Sequence, residues 1–103
     1  MKNKTVVLDL TECEHVGKIQ PRIQEAFGFP DSYGKNWSAF KDYLFYEYPV
    51  SKVIIIGADT LPPIFNKDLK ILCEILKKAK EDYGRSNLDF EYEFRPNEEK
   101  NNA

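Results

Sequence analysis

The stretch that decides the fold is Phe29-Pro30-Asp31-Ser32-Tyr33-Gly34-Lys35-Asn36-Trp37-Ser38-Ala39-Phe40-Lys41-Asp42-Tyr43-Leu44. Its first half is rich in residues that turn the chain or cap helices, which predicts a loop over residues 31–36. Asn36 is a suitable N-cap because its side chain can accept a hydrogen bond from an early backbone N–H. A helix is expected to follow through about Tyr46. Its period buries three side chains on one stripe: Trp37, Phe40 and Leu44.

Upstream of this stretch the pattern predicts one strand and one helix. Val6-Val7-Leu8, with Leu10, is a short segment with β-branched residues at its centre. Apolar residues then recur at helical spacing: Ile19, Ile23, Ala26 and Phe27. Pro21 falls in the first turn of that helix, where a missing N–H costs little. Gly28 is expected to close the helix, and Pro30 prevents its continuation.

Downstream, the continuous run Val53-Ile54-Ile55-Ile56 predicts a central strand that is covered on both sides. A long helix is expected from about Lys67 to a stop signal at Tyr83-Gly84. Its predicted buried face consists of Leu69, Leu72, Cys73, Leu76, Ala79 and Tyr83. Residues 88–94 alternate between apolar and acidic side chains, which predicts a half-buried strand.

The element order is therefore β-α-α-β-α-β. Helix-sized connections between strands favour a parallel sheet with right-handed crossovers. The predicted fold class is α/β: a small two-layer fold with a three-stranded parallel sheet packed by three helices. A chain of 103 residues is long enough for one core and too short for two domains. We expect a single domain over residues 1–95 and a polar, flexible tail over residues 96–103.

Composition limits the possible functions. With 15 Lys+Arg against 17 Asp+Glu, the net charge is −2, which argues against a general nucleic-acid binder. No apolar run reaches the roughly 20 residues that span a bilayer. The first residues also lack the apolar core and cleavage site of a signal peptide. The expected location is the cytoplasm, with no membrane partner.

Residues that usually carry chemistry are sparse. His15 is the only histidine, and we expect it to be solvated ahead of a helix. Cys13 and Cys73 form no metal motif, and are expected to be buried, reduced thiols rather than a long-range disulfide. The chain has no Gly-x-Ser-x-Gly motif and no glycine-rich phosphate loop. We therefore predict a protein that is not an enzyme, with no catalytic residues, no metal and no cofactor.

Residues 29–44 resemble the signature of the barstar family, small intracellular inhibitors of guanyl-specific ribonucleases such as barnase. The shared pattern is a Pro, then Tyr-Gly-x-Asn, an Ala three residues after the Asn, and Asp-x-Leu three residues after that Ala. All these positions match, and the element order extends the resemblance to nearly the whole chain. It implies a barstar-like fold and a one-to-one complex that occludes the active site of a cognate ribonuclease or nuclease toxin domain.

The resemblance also implies where the partner binds. In the family the loop and the outer helix face plug the cationic active site of the nuclease, and an aspartate mimics the substrate phosphate. The matching residue is Asp42, whose carboxylate can receive two donors from an arginine fork, as a phosphate can. The predicted partner-binding residues are Tyr33, Gly34, Asn36, Ser38, Lys41, Asp42, Phe45 and Tyr46.

Several of these residues have a second, purely structural interpretation. Tyr33 and Gly34 serve equally well as turn residues, and Asn36 is first a helix cap. Residues 43–46 hold more aromatic side chains than one helix flank needs for burial. One or two of those aromatics are therefore candidates for exposed binding anchors.

Four positions depart from the family pattern. Ser32 and Lys41 stand where the family has aromatic residues, while Ser38 and Lys78 stand where it has acids. Two carboxylates are thus lost and a cation enters the contact face. These departures suggest a cognate toxin with a less cationic or mixed cleft.

Two other functions remain open at this point. The first keeps the interaction but changes the target: an immunity protein for a secreted interbacterial toxin, contact-dependent or polymorphic, such as a tRNA-cleaving nuclease. The second is a nucleic-acid-binding or enzymatic role based on Lys70, Lys77, Lys78 and Lys80. Net acidity and the absence of a base-stacking motif disfavour this last role, so we expect no direct contact with nucleic acid.

Overall fold

The strands pair in the parallel arrangement that helix-sized connections favour. In a computed structural model, which describes residues 4–47 and 50–96, the sheet has the order β1-β2-β3. The strands are β1 (Thr5–Asp9), β2 (Lys52–Ile56) and β3 (Glu91–Arg95). Both pairings are parallel. The predicted α/β class is confirmed; of the predicted tail, all but Pro96 lies outside the described residues.

The helices among the described residues are α1 (Ile19–Phe27), α2 (Trp37–Asp42) and α3 (Asn66–Arg85). Short 3-10 turns lie at Val16–Lys18, Ala58–Thr60 and Pro63–Phe65. α1 ends where predicted, at Gly28, which adopts a left-handed φ of 73° that glycine reaches without steric cost. α3 runs past the predicted stop, because a glycine weakens a helix by about 1 kcal/mol without ending it.

All three helices pack on one face of the sheet, which gives two layers. Val6 and Leu8 of β1 and Val53 and Ile55 of β2 are buried in one apolar cluster. The helices contribute buried side chains to the same cluster, including Ile23, Phe27, Phe40, Leu72 and Leu76. Fully burying one such side chain stabilises the fold by about 1.5–3 kcal/mol. The sheet is therefore held in place mainly from the helix side.

The central strand is buried on both sides, as predicted, because Val53, Ile54 and Ile55 are consecutive buried residues of β2. Ile54 is 9% exposed but lies outside the core cluster. It stands in register between Val7, which is 48% exposed, and Glu93. The Lys52 ammonium and the Glu93 carboxylate pair across this face at 3.2 Å. Ile54 is thus buried on this second face although Val7 beside it is exposed.

Two further expectations need correction. Cys13 is buried, but Cys73 is exposed because it lies beyond the edge of the stripe formed by Leu72 and Leu76. Both cysteines are free thiols. Leu88 precedes β3 and is largely exposed, so only part of the alternating segment forms a half-buried strand.

The turn after β2 brings two backbone segments very close together. Gly57 has a left-handed φ of 81°, and a Cβ built there would stand 2.8 Å from the Thr11 backbone nitrogen and 2.9 Å from its Cα.

No helix among the described residues is long and apolar enough to cross a membrane.

We expect Gly57→Ala to lower the free energy of unfolding by about 2–4 kcal/mol, because left-handed strain adds to a clash with backbone. Gly17→Ala is the matched control, since nothing lies within 4 Å of a Cβ at Gly17. Urea unfolding followed by circular dichroism measures both. Equal stability of the two variants would contradict the close approach.

Candidate functional site

The loop before α2, residues 30–36, is anchored by a cluster of aromatic rings; we call it the capping loop. The Tyr33 ring lies 4.8 Å from Phe29 and 5.4 Å from Tyr43, measured between centroids. Phe29 and Tyr43 are themselves 5.0 Å apart, edge to face. Such aromatic pairs contribute about 0.5–1.5 kcal/mol each beyond the area they bury. The loop is thereby fixed to the core.

The Tyr33 side chain is an internal support. It is 3% exposed, and its hydroxyl donates to Gln20 Oε1 at 2.5 Å. Burial raises the pKa of Tyr33 far above its usual value, so the hydroxyl keeps its proton and remains a donor. A residue this buried presents almost no surface to a partner, and the structure favours the turn role for Tyr33.

Lys35 and Asn36 direct the chain into the helix. Lys35 has a left-handed φ of 57°, a conformation that costs a residue with a side chain about 1–2 kcal/mol. Asn36 Oδ1 accepts from the Ala39 backbone N–H at 2.7 Å, which confirms the predicted cap. Asn36 Nδ2 also donates to the exposed Gly34 carbonyl at 3.3 Å. These bonds set the direction of α2.

The outer face of α2 presents three of the predicted residues together. Ser38, Lys41 and Asp42 are exposed, and their i, i+3, i+4 spacing places them on one helix face. The opposite side of α2 buries Phe40. Trp37 is half-buried, and its Nε1 donates to Asp68 Oδ1 of α3 at 3.0 Å. The α2 face is thus supported from both the core and α3.

The chain beyond Asp42 stays helical but widens into a π-helical turn, Tyr43–Glu47, where an α-helix was predicted. In a π-turn the Leu44 carbonyl would bond to the nitrogen five residues on, which belongs to Pro49 and carries no hydrogen. The Tyr83 hydroxyl of α3 donates to this carbonyl instead, at 2.8 Å. The turn leaves Tyr46 79% exposed and Phe45 half-buried.

The charges on this surface are of both signs. Lys35, Lys41 and Asp42 have no ion-pair partner within 4.0 Å among the described residues. Lys78 is exposed on α3. Residues 4–47 and 50–96 contain no group of three or more His, Cys, Asp or Glu side chains that could hold a metal. The arrangement is suited to binding another charged surface.

Sequence reasoning missed two residues that support this surface. Gln20 is buried and holds Tyr33, and its place three residues before Ile23 on the apolar stripe was an available signal. Asp68 holds Trp37 across a separation of 31 residues. No local pattern in the sequence signals that contact.

A protein-family model described as Barstar (barnase inhibitor) matches residues 3–95. The matched range includes the capping loop, α2 and the π-turn. No curated protein matches the chain.

Replacing the Asn36 cap with and without an acceptor oxygen should isolate the contribution of its hydrogen bond. We expect Asn36→Ala to lower the free energy of unfolding by about 1 kcal/mol, since the Ala39 N–H loses its acceptor. Asn36→Asp keeps an acceptor oxygen and should stay within about 0.5 kcal/mol of the parent. Urea titrations at neutral pH compare the three proteins. Equal losses in both variants would show that the cap bond does not carry the effect.

Proposed function

The chain belongs to the barstar family, and from this we propose that it binds a ribonuclease or nuclease toxin domain one-to-one and occludes its active site. Barstar-family proteins are inhibitors rather than enzymes, and they bind a ribonuclease partner. The observation that carries the proposal is the exposed Asp42 carboxylate on α2, with no ion-pair partner among the described residues. Its proposed place of action is the cytoplasm.

The proposed mechanism is mimicry of a phosphate by a rigidly held carboxylate. Asp42 offers two oxygens that can accept two N–H groups of an arginine fork, as a substrate phosphate does. The Asn36 cap and the Trp37–Asp68 bond hold α2 before binding. Little conformational entropy is then lost on docking, which favours tight association.

The proposed partner has a cleft of mixed charge. Lys41 is adjacent to Asp42, and Lys35 belongs to the capping loop; both are exposed. Placing these ammonium groups in a purely cationic cleft would leave like charges opposed, and such opposition is a source of specificity against wrong partners. A nuclease that presents carboxylates beside its arginines would pair with both signs.

The presence of Lys41 and Ser38 on the α2 face also supports the alternative target. In this version the chain is an immunity protein for a secreted interbacterial toxin, such as a tRNA-cleaving nuclease. The neighbouring gene separates the two versions. A large protein with a toxin domain favours immunity, and a small secreted ribonuclease favours the inhibitor of a ribonuclease.

Removal of the Asp42 carboxylate should weaken the complex. We expect Asp42→Ala to raise the Kd at least about tenfold, or 1.4 kcal/mol, because a buried arginine on the partner would be left unpaired. The measurement is isothermal titration against the toxin domain encoded next to this gene and against a barnase-type ribonuclease.

Asp89→Ala is the matched control, because it removes the same exposed charge from a segment remote in sequence from α2. It should change the Kd by less than about twofold, in line with distant, independent sites. Tight binding that is equally insensitive to both substitutions would remove Asp42 from the mechanism. Binding to neither nuclease would reject the proposed function.

Tyr46 should act as an apolar anchor in the same complex. Because its ring is 79% exposed in the free protein, Tyr46→Ala should leave the free energy of unfolding within about 0.5 kcal/mol of the parent. Burial of the ring by the partner predicts a loss of binding of about 1.5–3 kcal/mol. Ile64→Ala, at an exposed position before α3, is the control. An unchanged Kd for Tyr46→Ala would place the π-turn outside the interface.

A further inference from the structure

A cleft of about 390 Å³ opens beside the capping loop. It lies between the start of α1, the capping loop and α3, and its lining includes Val16, Gln20, Lys35, Trp37 and Asp68. Lys35 and Asn36 belong to both the cleft and the proposed contact surface. A partner that covers the capping loop therefore also covers the mouth of this cleft.

Gln20 lines the cleft, and its amide nitrogen is a hydrogen-bond donor without a partner among the described residues. The residue is only 8% exposed, and its Oε1 is occupied by the Tyr33 hydroxyl. Its Nε2 is buried and has no hydrogen-bond partner in the part of the chain that the structure describes. A buried donor without a partner destabilises the protein, so a turn of the Gln20 amide that brings Nε2 to an acceptor atom of a ligand in the cleft is favoured.

Opposite charges line the same cleft. Lys35 and Asp68 form no ion pair with each other. Asp68 Oδ1 accepts from Trp37 Nε1, which leaves lone pairs on Oδ2. A simple anion would face the Asp68 carboxylate, and a simple cation would face the Lys35 ammonium. A neutral group with an acceptor at one end and a donor at the other fits both.

We propose that this cleft is a subsite for an amide group of the partner protein, either an Asn or Gln side chain or a main-chain peptide unit. The amide oxygen accepts from Gln20 Nε2 and from Lys35 Nζ, while the amide N–H donates to the Asp68 carboxylate. Trp37 and Val16 cover the adjoining hydrocarbon. The inference that the amide belongs to a partner protein rests on the proposed function. The inference that the cleft binds an amide does not depend on that function.

The test uses the full chain, labelled with nitrogen-15, without any nuclease. Propionamide represents a side-chain amide and N-acetylglycine N-methylamide represents a peptide unit. Acetate, methylammonium and guanosine 5′-monophosphate are the comparison probes. We expect saturable shifts of the Gln20 side-chain NH2 and the Trp37 indole N–H with at least one amide probe. Shifts with the comparison probes should be markedly smaller.

Two substitutions test the roles of the charged residues that line the cleft, Asp68 and Lys35. Asp68→Asn keeps an acceptor for Trp37, and Lys35→Asn introduces a residue that tolerates the left-handed conformation. Each should weaken binding of the amide probe by at least about threefold, the loss of one modest hydrogen bond. Lys70→Asn changes an exposed lysine of α3 that does not line the cleft and should leave the affinity unchanged.

Absence of a saturable shift with both amides would overturn the subsite. So would an equal or larger response to acetate, methylammonium or the nucleotide, or an unchanged amide affinity in both Asp68→Asn and Lys35→Asn. These readouts need no nuclease and are independent of inhibition. If no amide binds in the cleft but Asp42→Ala still weakens nuclease binding, the subsite alone is rejected. If an amide binds in the cleft but the protein binds no nuclease, the proposed function alone is rejected.

Discussion

The proposed contact surface depends on the burial of one tyrosine ring. Tyr33 packs against Phe29 and Tyr43 and donates its hydroxyl to Gln20 Oε1 at 2.5 Å. Together these contacts connect the capping loop to α1 on one side and to the π-turn on the other. Without this anchor the loop would have to order on binding, and the entropy of ordering would weaken the complex.

The anchored loop explains why a lysine can occupy a left-handed conformation. The φ of 57° at Lys35 is unfavourable by itself, but the flanking residues Tyr33 and Asn36 are both held by hydrogen bonds. Strain of this kind persists where the surroundings over-determine the backbone. Its effect is to place Lys35 in the lining of the cleft and to start α2 in the direction that exposes Asp42.

Local patterns predicted the parts of the site that are held by local bonds. The Asn36 cap spans three residues, and the α1 stop depends on Gly28 itself, so both could be read from the sequence. The π-turn could not, because the Tyr83 hydroxyl that bonds the Leu44 carbonyl lies 39 residues away. The support of Trp37 by Asp68 is equally non-local. The sequence predicted Asp42 as a contact residue through a family resemblance, and its exposure alone would not have singled it out.

The two halves of the proposed binding surface, the outer face of α2 and the cleft, would depend on different physical terms and could therefore diverge separately. The outer face of α2 acts through net charge, where Lys41 beside Asp42 sets which arrangement of charges a partner can present. The cleft acts through the geometry of hydrogen bonds around Gln20, where an amide adds no net charge. Replacing Lys41 with an acid would change the charge preference while leaving the bonds from Tyr33 to Gln20 and from Trp37 to Asp68 intact. A family of small inhibitors can thus change nuclease targets on α2 without rebuilding the loop that supports it.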